Sequence, residues 1–216
     1  MKRALVEEFR ARWEGLGGHY WEAAGPSALP QVLAAASDAL VDWSAATTPS
    51  VLLWPGHGFA ASAWAPAWTG PAWERAAVEW QAGSLYLNGR PAEEGAIRAL
   101  AARAALGVTG SAWAVADTGS VALYRGPGGG LWPSLLPPAH LMVVRASQVV
   151  ANVAEGLGLL RGESETPAPS AGAASPPSRM PRMVKIISGP SSTADIEGQL
   201  WIGVHGPARV GVVLVG

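Results

Sequence analysis

The end of the chain constrains the fold more than any other part of the sequence. Residues 161–182, RGESETPAPSAGAASPPSRMPR, are rich in Pro, Ser, Ala and Gly and show no apolar periodicity, so we expect them to be mobile. The residues that follow, 183–216, contain three apolar strands, MVKIIS, LWIGV and VGVVLV, but are too few to form their own core. Lengthening a surface loop costs only about 0.6 kcal/mol per doubling. The sequence therefore predicts one domain, residues 1–216, whose last strands complete a sheet begun earlier.

The earlier part of the chain alternates helical and strand-like segments. This alternation is typical of an α/β fold with a mostly parallel sheet. Helices are predicted from the first residues to Gly17, and at residues 29–43, 71–80, 93–106 and 146–160. Strands are predicted at HYWEA, SVLLW, GSLYL, SAWAV, SVALY and HLMVV.

Composition excludes several classes of function. The formal net charge is -1, so no strong field draws the protein to nucleic acid or anionic lipid. There is no cysteine, so this chain alone cannot supply thiolates to zinc or to an iron–sulfur cluster. Histidines and carboxylates show no metal-ligand spacing, and we expect no metal site. No segment has the ~20 apolar residues of a membrane span, and charged residues near the N-terminus argue against a signal peptide, so a cytoplasmic protein is expected.

The segment SGPSSTADIEGQLWIGVHGP, residues 188–207, carries the densest group of candidate ligand-binding residues. Ser192 and Asp195 have capping-box spacing, which predicts a short helix starting near Ser191 or Ser192. Free N–H groups at such a helix start, close to a strand end, suit a carboxylate or phosphate. Plain capping of a connector is the alternative. The candidate residues are Ser188, Gly189, Ser191, Ser192, Thr193, Asp195 and Glu197.

Two further positions are candidates for catalysis. His205 lies between glycines after a strand, where it could act as a general base or be a hydrogen-bonded turn residue. Asp117 is followed by Thr118 and Gly119 between two strand-like runs. This pattern is typical of a hairpin turn, and the alternative is a polar loop that faces the same site as residues 188–197.

Tryptophan is concentrated in one region. Six of the eleven tryptophans fall between Trp43 and Trp80. Most such side chains fill a core, but an aromatic patch that faces a partner is the alternative.

Three segments of the second half resemble the LUD-domain family of lactate-utilisation proteins, and its protein C group in particular. They are GVTGSAWAVADTGSVAL, SLLPPAHLMVVRASQVV and SGPSSTADIEGQLWIGVHGP, in this order. The resemblance covers roughly residues 107–216 without 161–182. It implies an α/β, Rossmann-like sheet with flanking helices, similar to sugar-phosphate isomerases and CoA transferases. It also implies a place in a three-protein set that oxidises L-lactate to pyruvate, where the other two members carry iron–sulfur clusters.

The resemblance also adds residues to the candidate site. It implies ligand binding by Thr118, Gly119, Ser134 and His140, and it implies that residues 188–207 lie near Asp117 and His140. The sequence departs from the family pattern at two places: Asp117 stands where the family usually has Glu, and Leu131-Trp132 where it commonly has a basic residue. Arg125 or Arg145 could supply the missing cation.

The expected function is therefore that of a non-redox subunit of an L-lactate-oxidising complex. Its expected partners are Cys-rich iron–sulfur proteins, and it would hold no cofactor itself, although a small carboxylate or phosphate could bind. The alternative is a stand-alone enzyme or binder of small acids, CoA esters or sugar phosphates. A third hypothesis is a scaffold that binds partners through the Trp54–Trp80 region.

Overall fold

The fold is described by a computed structural model, which covers most of the chain. The described residues are 2–42, 50–54, 56, 59–69, 73–81, 84–124, 131–161, 181, 183–194, 197 and 199–216. Except for residues 161 and 181, the segment predicted to be mobile lies outside this set, as do Arg125 and Asp195.

Five α-helices and fourteen strands lie within the described ranges. The helices are α1 (Lys2–Gly15), α2 (Leu29–Leu40), α3 (Ala61–Trp64), α4 (Glu94–Ala101) and α5 (Val153–Arg161). The strands are β1 (His19–Ala23), β2 (Ser50–Trp54), β3 (Glu74–Gln81), β4 (Ser84–Leu87), β5 (Arg90–Pro91), β6 (Leu106–Gly110), β7 (Trp113–Val115), β8 (Ser120–Tyr124), β9 (Ala139–Arg145), β10 (Val149–Val150), β11 (Val184–Ile187), β12 (Ser192–Ala194), β13 (Leu200–Ile202) and β14 (Arg209–Val215). Short 3-10 helices span Ala65–Trp68, Trp132–Ser134 and Ala146–Gln148.

The main sheet has eight strands in the order β1-β14-β9-β6-β2-β3-β4-β5. The strands from β1 to β3 in this order pair in parallel, and β4 and β5 add an antiparallel edge. The prediction of an α/β fold with a mostly parallel sheet is confirmed. The last strand, β14, lies between β1 and β9, so the end of the chain does complete a sheet begun earlier.

Each face of the main sheet is covered differently. On one face α2 packs Leu33 and Leu40 against Leu141 and Val213. On the other face lie α1 and a smaller four-stranded sheet, ordered β10-β7-β8-β11. The space between the two sheets is therefore enclosed by apolar side chains, and any polar group in it needs a partner.

The helix predicted at residues 71–80 is wrong, because residues 74–81 form β3. Val78 and Ala76 face one apolar cluster while Ala77 faces another, which is the two-residue period of a strand buried on both sides. Pairing with β2 on one side and β4 on the other outweighs the helical propensity of this segment.

Three other helices are shorter than the sequence predicts, and the one predicted at residues 29–43 ends at Leu40. The helix predicted to extend to Leu106 ends at Ala101, and Leu106 instead begins β6 in the main sheet. The helix predicted from Ala146 starts at Val153, because Val149 and Val150 pair in parallel with β7.

The tryptophan-rich region contributes to the core. Trp64 and Trp68 are buried, at 0% and 3% exposure, and Trp68 donates its indole N–H to Ser37 Oγ at 3.2 Å. The hypothesis that these two side chains form a partner-facing surface is therefore wrong. None of the described helices is long and apolar enough to cross a membrane.

Candidate functional site at the amino edge of the sheet

Two of the candidate loops meet at the amino ends of the parallel strands β9 and β14. Pro138 precedes β9 and Ala208 precedes β14, and the backbone N–H groups of Ala208 and Arg209 donate to Pro138 O at 2.9 and 3.2 Å. The loop that contains His205 is thus tied to the loop that precedes His140. Ligands of open α/β sheets usually bind at the carboxyl ends of the strands, and the ligand site predicted for residues 188–197 relied on that rule. The loop that contains His205 lies instead at the amino ends of β9 and β14.

The helix predicted to start near Ser191 or Ser192 is wrong. Ser192 and Thr193 belong to β12, which pairs antiparallel with β13 so that Ser192 faces Ile202. The apolar run Leu200–Ile202 gives this segment a strand partner, which the capping-box spacing could not indicate. Ser192, Thr193 and Glu197 are exposed, and Asp195 lies outside the described residues. Residues 192–194 therefore provide no helix N-terminus that could bind an anion.

Ser191 joins the two halves of the motif through its backbone. Its N–H donates to Pro207 O at 2.9 Å, and its carbonyl accepts from the N–H of Gly203 at 2.8 Å. A Cβ atom on Gly206 would lie 3.3 Å from Ser191 Cβ, so the two loops also pack tightly. Through these contacts GPSS and GVHGP each fix the backbone of the other.

His205 is exposed on the rim of an open cleft. The cleft has a volume of about 520 Å³ and is lined by Trp132, residues 135–138 and residues 203–206. Its lining is mostly apolar, with His205 as the titratable side chain among these residues. Catalysis by His205 stays a prediction.

Ser188 lies beside the turn that follows β7, close to Asp117 as the family resemblance implies. Its hydroxyl is 2.7 Å from that of Ser120, the residue after the Asp117–Gly119 turn. The turn joins the antiparallel strands β7 and β8, so its hairpin interpretation is confirmed. Asp117 and Thr118 are exposed at its tip, and the roles predicted for them stay predictions.

Gly119 and Gly189 hold these two loops against α1. Both have left-handed backbone, with φ of 60° and 95°. A Cβ on Gly119 would lie 2.6 Å from the backbone nitrogen of Trp13, and one on Gly189 would lie 2.7 Å from Leu16 O. Gly119 thus approaches the backbone of α1 and Gly189 that of Leu16, just after α1, which only glycine permits.

His140 belongs to a separate, buried polar cluster. Its Nε2 lies 2.9 Å from the hydroxyl of Thr109 on the neighbouring strand, and its ring is fully buried. Burial, together with the charge of Lys185, holds the pKa of His140 well below the ordinary value of 6.5, so the ring is neutral at pH 7. Among the described residues, its Nδ1 has no hydrogen-bond partner.

Lys185 completes this cluster, and sequence reasoning missed it. On β11 it points the same way as Ile187, into the apolar space between the two sheets. Its ammonium group donates to Ser134 O and, at 3.2 Å, to Ser134 Oγ. Burial lowers its pKa from 10.5 to about 8. A single lysine in the apolar run MVKIIS was the available signal.

Ser134 is held in place by the 3-10 helix Trp132–Ser134. The hydroxyl of Ser134 donates to Leu131 O at 2.7 Å. Trp132 is fixed from α4, since its indole N–H donates to Glu94 at 3.2 Å and the guanidinium of Arg98 lies 5.2 Å from its ring centre. Ser134 thus has a defined position above the sheet.

Arg145 does not replace the basic residue expected near residue 131. It ends β9 while His140 lies near its start, five residues and about 17 Å away. Its guanidinium lies 3.8 Å from the ring centre of Phe59 at the opposite edge of the sheet. Arg98 lies near Trp132, and Lys185 donates to Ser134 in the same 3-10 helix. Within the described part of the chain, no group of three or more His, Asp or Glu side chains could hold a metal ion.

Comparison with known proteins places the chain among a group of bacterial relatives. It is 35% identical over 110 residues to "Lactate utilization protein C 1" of Bacillus mycoides, which is 51% of this chain and 43% of the relative. It is 37% identical over 120 residues to "Lactate utilization protein C" of Exiguobacterium sp., 56% and 48% of the two chains. It is also 35% identical over 115 residues to "Uncharacterized protein YkgG" of Escherichia coli, 53% and 46%. The chain spans about half the length of these relatives.

A solved structure shares the fold over the whole chain. The crystal structure of a DUF162 family protein from Deinococcus radiodurans superposes with a TM-score of 0.59 at 25% identity, covering 100% of this chain and 99% of that one. The sequence profile of the LUD domain matches residues 70–215, about two thirds of the chain. This segment contains all the candidate residues described above. The chain therefore belongs to the LUD domain family.

Proposed function

We propose that this chain acts in L-lactate utilisation, as a non-redox component of a lactate-oxidising system whose partners are iron–sulfur proteins. The observation that carries the proposal is its similarity to relatives named lactate utilization protein C, at 30–37% identity. Membership of the LUD domain family supports the same assignment.

The chemistry of the reaction supports a dependent role. Oxidation of a 2-hydroxy acid to a 2-oxo acid removes two electrons and two protons, so an electron acceptor is required. These 216 residues contain no cysteine and so provide no thiolate for a cluster. In this proposal the clusters and the electron transfer belong to partner proteins, while this chain binds or positions the small acid.

The second candidate function is a stand-alone binder or enzyme for small acids, CoA esters or sugar phosphates. The observation that favours it is the polar cluster of Thr109, Ser134, His140 and Lys185, which includes a cation and a histidine nitrogen without a partner among the described residues. The two functions differ in one respect: the second needs no partner protein.

Deletion and affinity purification in the native host test the first proposal. We expect the deletion strain to grow poorly on L-lactate but normally on pyruvate, the product of the oxidation. We also expect the tagged chain to co-purify with Cys-rich proteins, recognised by iron and acid-labile sulfide. Normal growth of the deletion strain on L-lactate would contradict the proposal, and turnover of any substrate by the isolated chain would favour the second function.

A further inference from the structure

We propose that Lys185, together with His140, forms a binding site for a small carboxylate anion, in which Lys185 provides the positive charge. This inference rests on the proposed function and deepens it, because it names the residues that would bind the small acid. His140 pairs with Gly107 on the neighbouring strand, and Pro133 lies directly over Gly107. Ser134, the next residue, accepts from Lys185, so the two side chains approach the same place between the sheets.

The charge of Lys185 is not balanced by any acidic group that the structure describes. Both acceptors of its ammonium are neutral, the carbonyl and the hydroxyl of Ser134. No carboxylate of the described residues lies within ion-pair distance of it. Moving an ammonium into an apolar environment is costly unless an opposite charge accompanies it. A bound anion would supply that charge.

His140 provides the second observation that indicates a ligand. A neutral imidazole carries one N–H and one bare nitrogen. If the hydroxyl of Thr109 donates to Nε2, then Nδ1 carries the proton and lacks an acceptor. Leaving a buried donor unpaired costs about 1–3 kcal/mol, and a carboxylate oxygen would remove this cost.

Ser134 positions the ammonium rather than the ligand. Its hydroxyl already donates to Leu131 O, and its two oxygens accept from Lys185. The third hydrogen of an ammonium group remains for a ligand, since lysine has three donors. Lys185 is partly exposed whereas His140 is fully buried. An anion would therefore reach Lys185 first.

Calorimetry on the purified full chain tests the site. L-lactate, pyruvate, acetate and inorganic phosphate are titrated separately at pH 7 and constant ionic strength. We expect at least one carboxylate to bind, and Lys185→Met to weaken it at least tenfold while Lys185→Arg keeps most of the affinity. Lys2→Met is the matched control, because Lys2 is the only other lysine and also donates to a backbone carbonyl, Ser147 O at 2.8 Å. The Lys2→Met variant should bind the carboxylate as tightly as the unchanged chain does.

A second measurement does not depend on the stability of the variants. Incorporation of lysine ¹³C-labelled at Cε labels Lys2 and Lys185 and leaves their ammonium groups unmodified, so NMR follows each label in the unchanged chain. We expect the bound carboxylate to shift the Lys185 signal and leave that of Lys2 in place. Binding of phosphate alone, an unshifted Lys185 signal, or equal affinity in Lys185→Met would each overturn the site. None of these outcomes affects the growth test of the proposed function.

Discussion

Gly107 lies directly under Pro133. A Cβ atom built on Gly107 would be 1.8 Å from the carbonyl oxygen of Pro133, a backbone atom that cannot move aside alone. The 3-10 helix that carries Ser134 thus rests on the bare backbone of β6. The absence of a side chain at residue 107 therefore sets the position of Ser134 above the sheet, and with it the position of Lys185.

Gly107→Ala should destabilise the protein. The added methyl group has no space, so either the 3-10 helix or β6 must shift, and overpacking of this kind costs roughly 1–3 kcal/mol. Urea denaturation followed by circular dichroism measures the change. The control is Gly158→Ala in α5, where a Cβ meets no atom within 4 Å and where alanine favours the helix by up to about 1 kcal/mol. Equal stability of Gly107→Ala and the unchanged chain would contradict the described approach of Pro133.

The hydrogen bond between Ser120 and Ser188 should be measurable as a coupling energy. The two hydroxyls are 2.7 Å apart, with Ser120 buried and Ser188 exposed at the end of β11. In a double-mutant cycle with both residues changed to alanine, we expect a coupling of about 0.5–1.5 kcal/mol. The free energies of unfolding of the four proteins give this value. A coupling of zero would show that the two loops are not joined by these side chains in solution.

Gly189→Ala should lower stability without changing the affinity of the folded protein for a carboxylate. Its φ of 95° is strained for alanine, and the Cβ would approach Leu16 O to 2.7 Å. We expect a loss of roughly 1–3 kcal/mol. Gly25→Ala is the control, because a Cβ there meets no atom within 4 Å. A variant of normal stability but lost affinity would instead make Gly189 part of the ligand site.

The parts of the fold that the sequence predicts well are those with a strong local pattern. The apolar runs of β9 and β14, the apolar spacing of α1 and the turn at Asp117–Gly119 each indicate their structure without reference to a partner. Residues 74–81 and 192–194 have no such local pattern. They are strands because β2, β4 and β13 pair with them, and pairing between distant segments leaves no local signal.

The candidate site shows the same division. Ser134 and His140 were identified by resemblance, and the glycine-rich loops by their composition. Sequence reasoning missed Lys185 because side chains of a strand alternate between two faces, and the sequence of β11 does not say which face is buried. The face that carries Lys185 is buried only because the two sheets pack together. The burial that lowers its pKa is therefore a property of the packing of two sheets.

Trp68→Ala should unfold or strongly destabilise the chain rather than selectively abolish binding to a partner. Trp68 is 3% exposed, packs in the core with Trp64, and donates to Ser37, so its removal leaves a large cavity and costs about 3–5 kcal/mol. Trp201→Ala is the comparison, because Trp201 is 57% exposed on β13 and should cost less than about 0.5 kcal/mol. Thermal denaturation of both variants distinguishes core from surface. Similar melting temperatures would contradict the described burial.

Lys185 should make the stability of the chain depend on pH in one window. Its pKa is about 8 in the folded protein against 10.5 ordinarily, so between these values the unfolded chain binds more protons. The free energy of unfolding contributed by this group should therefore rise as the pH increases from about 8 to 10.5, and be flat below 8. Tyr20 and Tyr124, whose pKa values are raised by burial, also titrate at high pH, so the useful quantity is the difference from Lys185→Met.

Urea denaturation at pH 7, 9 and 10 provides that difference. At pH 7 we expect Lys185→Met to have a larger free energy of unfolding than the unchanged chain. This difference should shrink by pH 10, because Lys185 loses its proton. NMR of the chain labelled with ¹³C at lysine Cε measures the pKa itself, and Lys2→Arg removes the other lysine signal. If Lys185 anchors a carboxylate, saturating ligand must raise this pKa, because an anion favours the charged form. A pKa near the ordinary 10.5 without ligand would contradict the burial of Lys185 between the sheets.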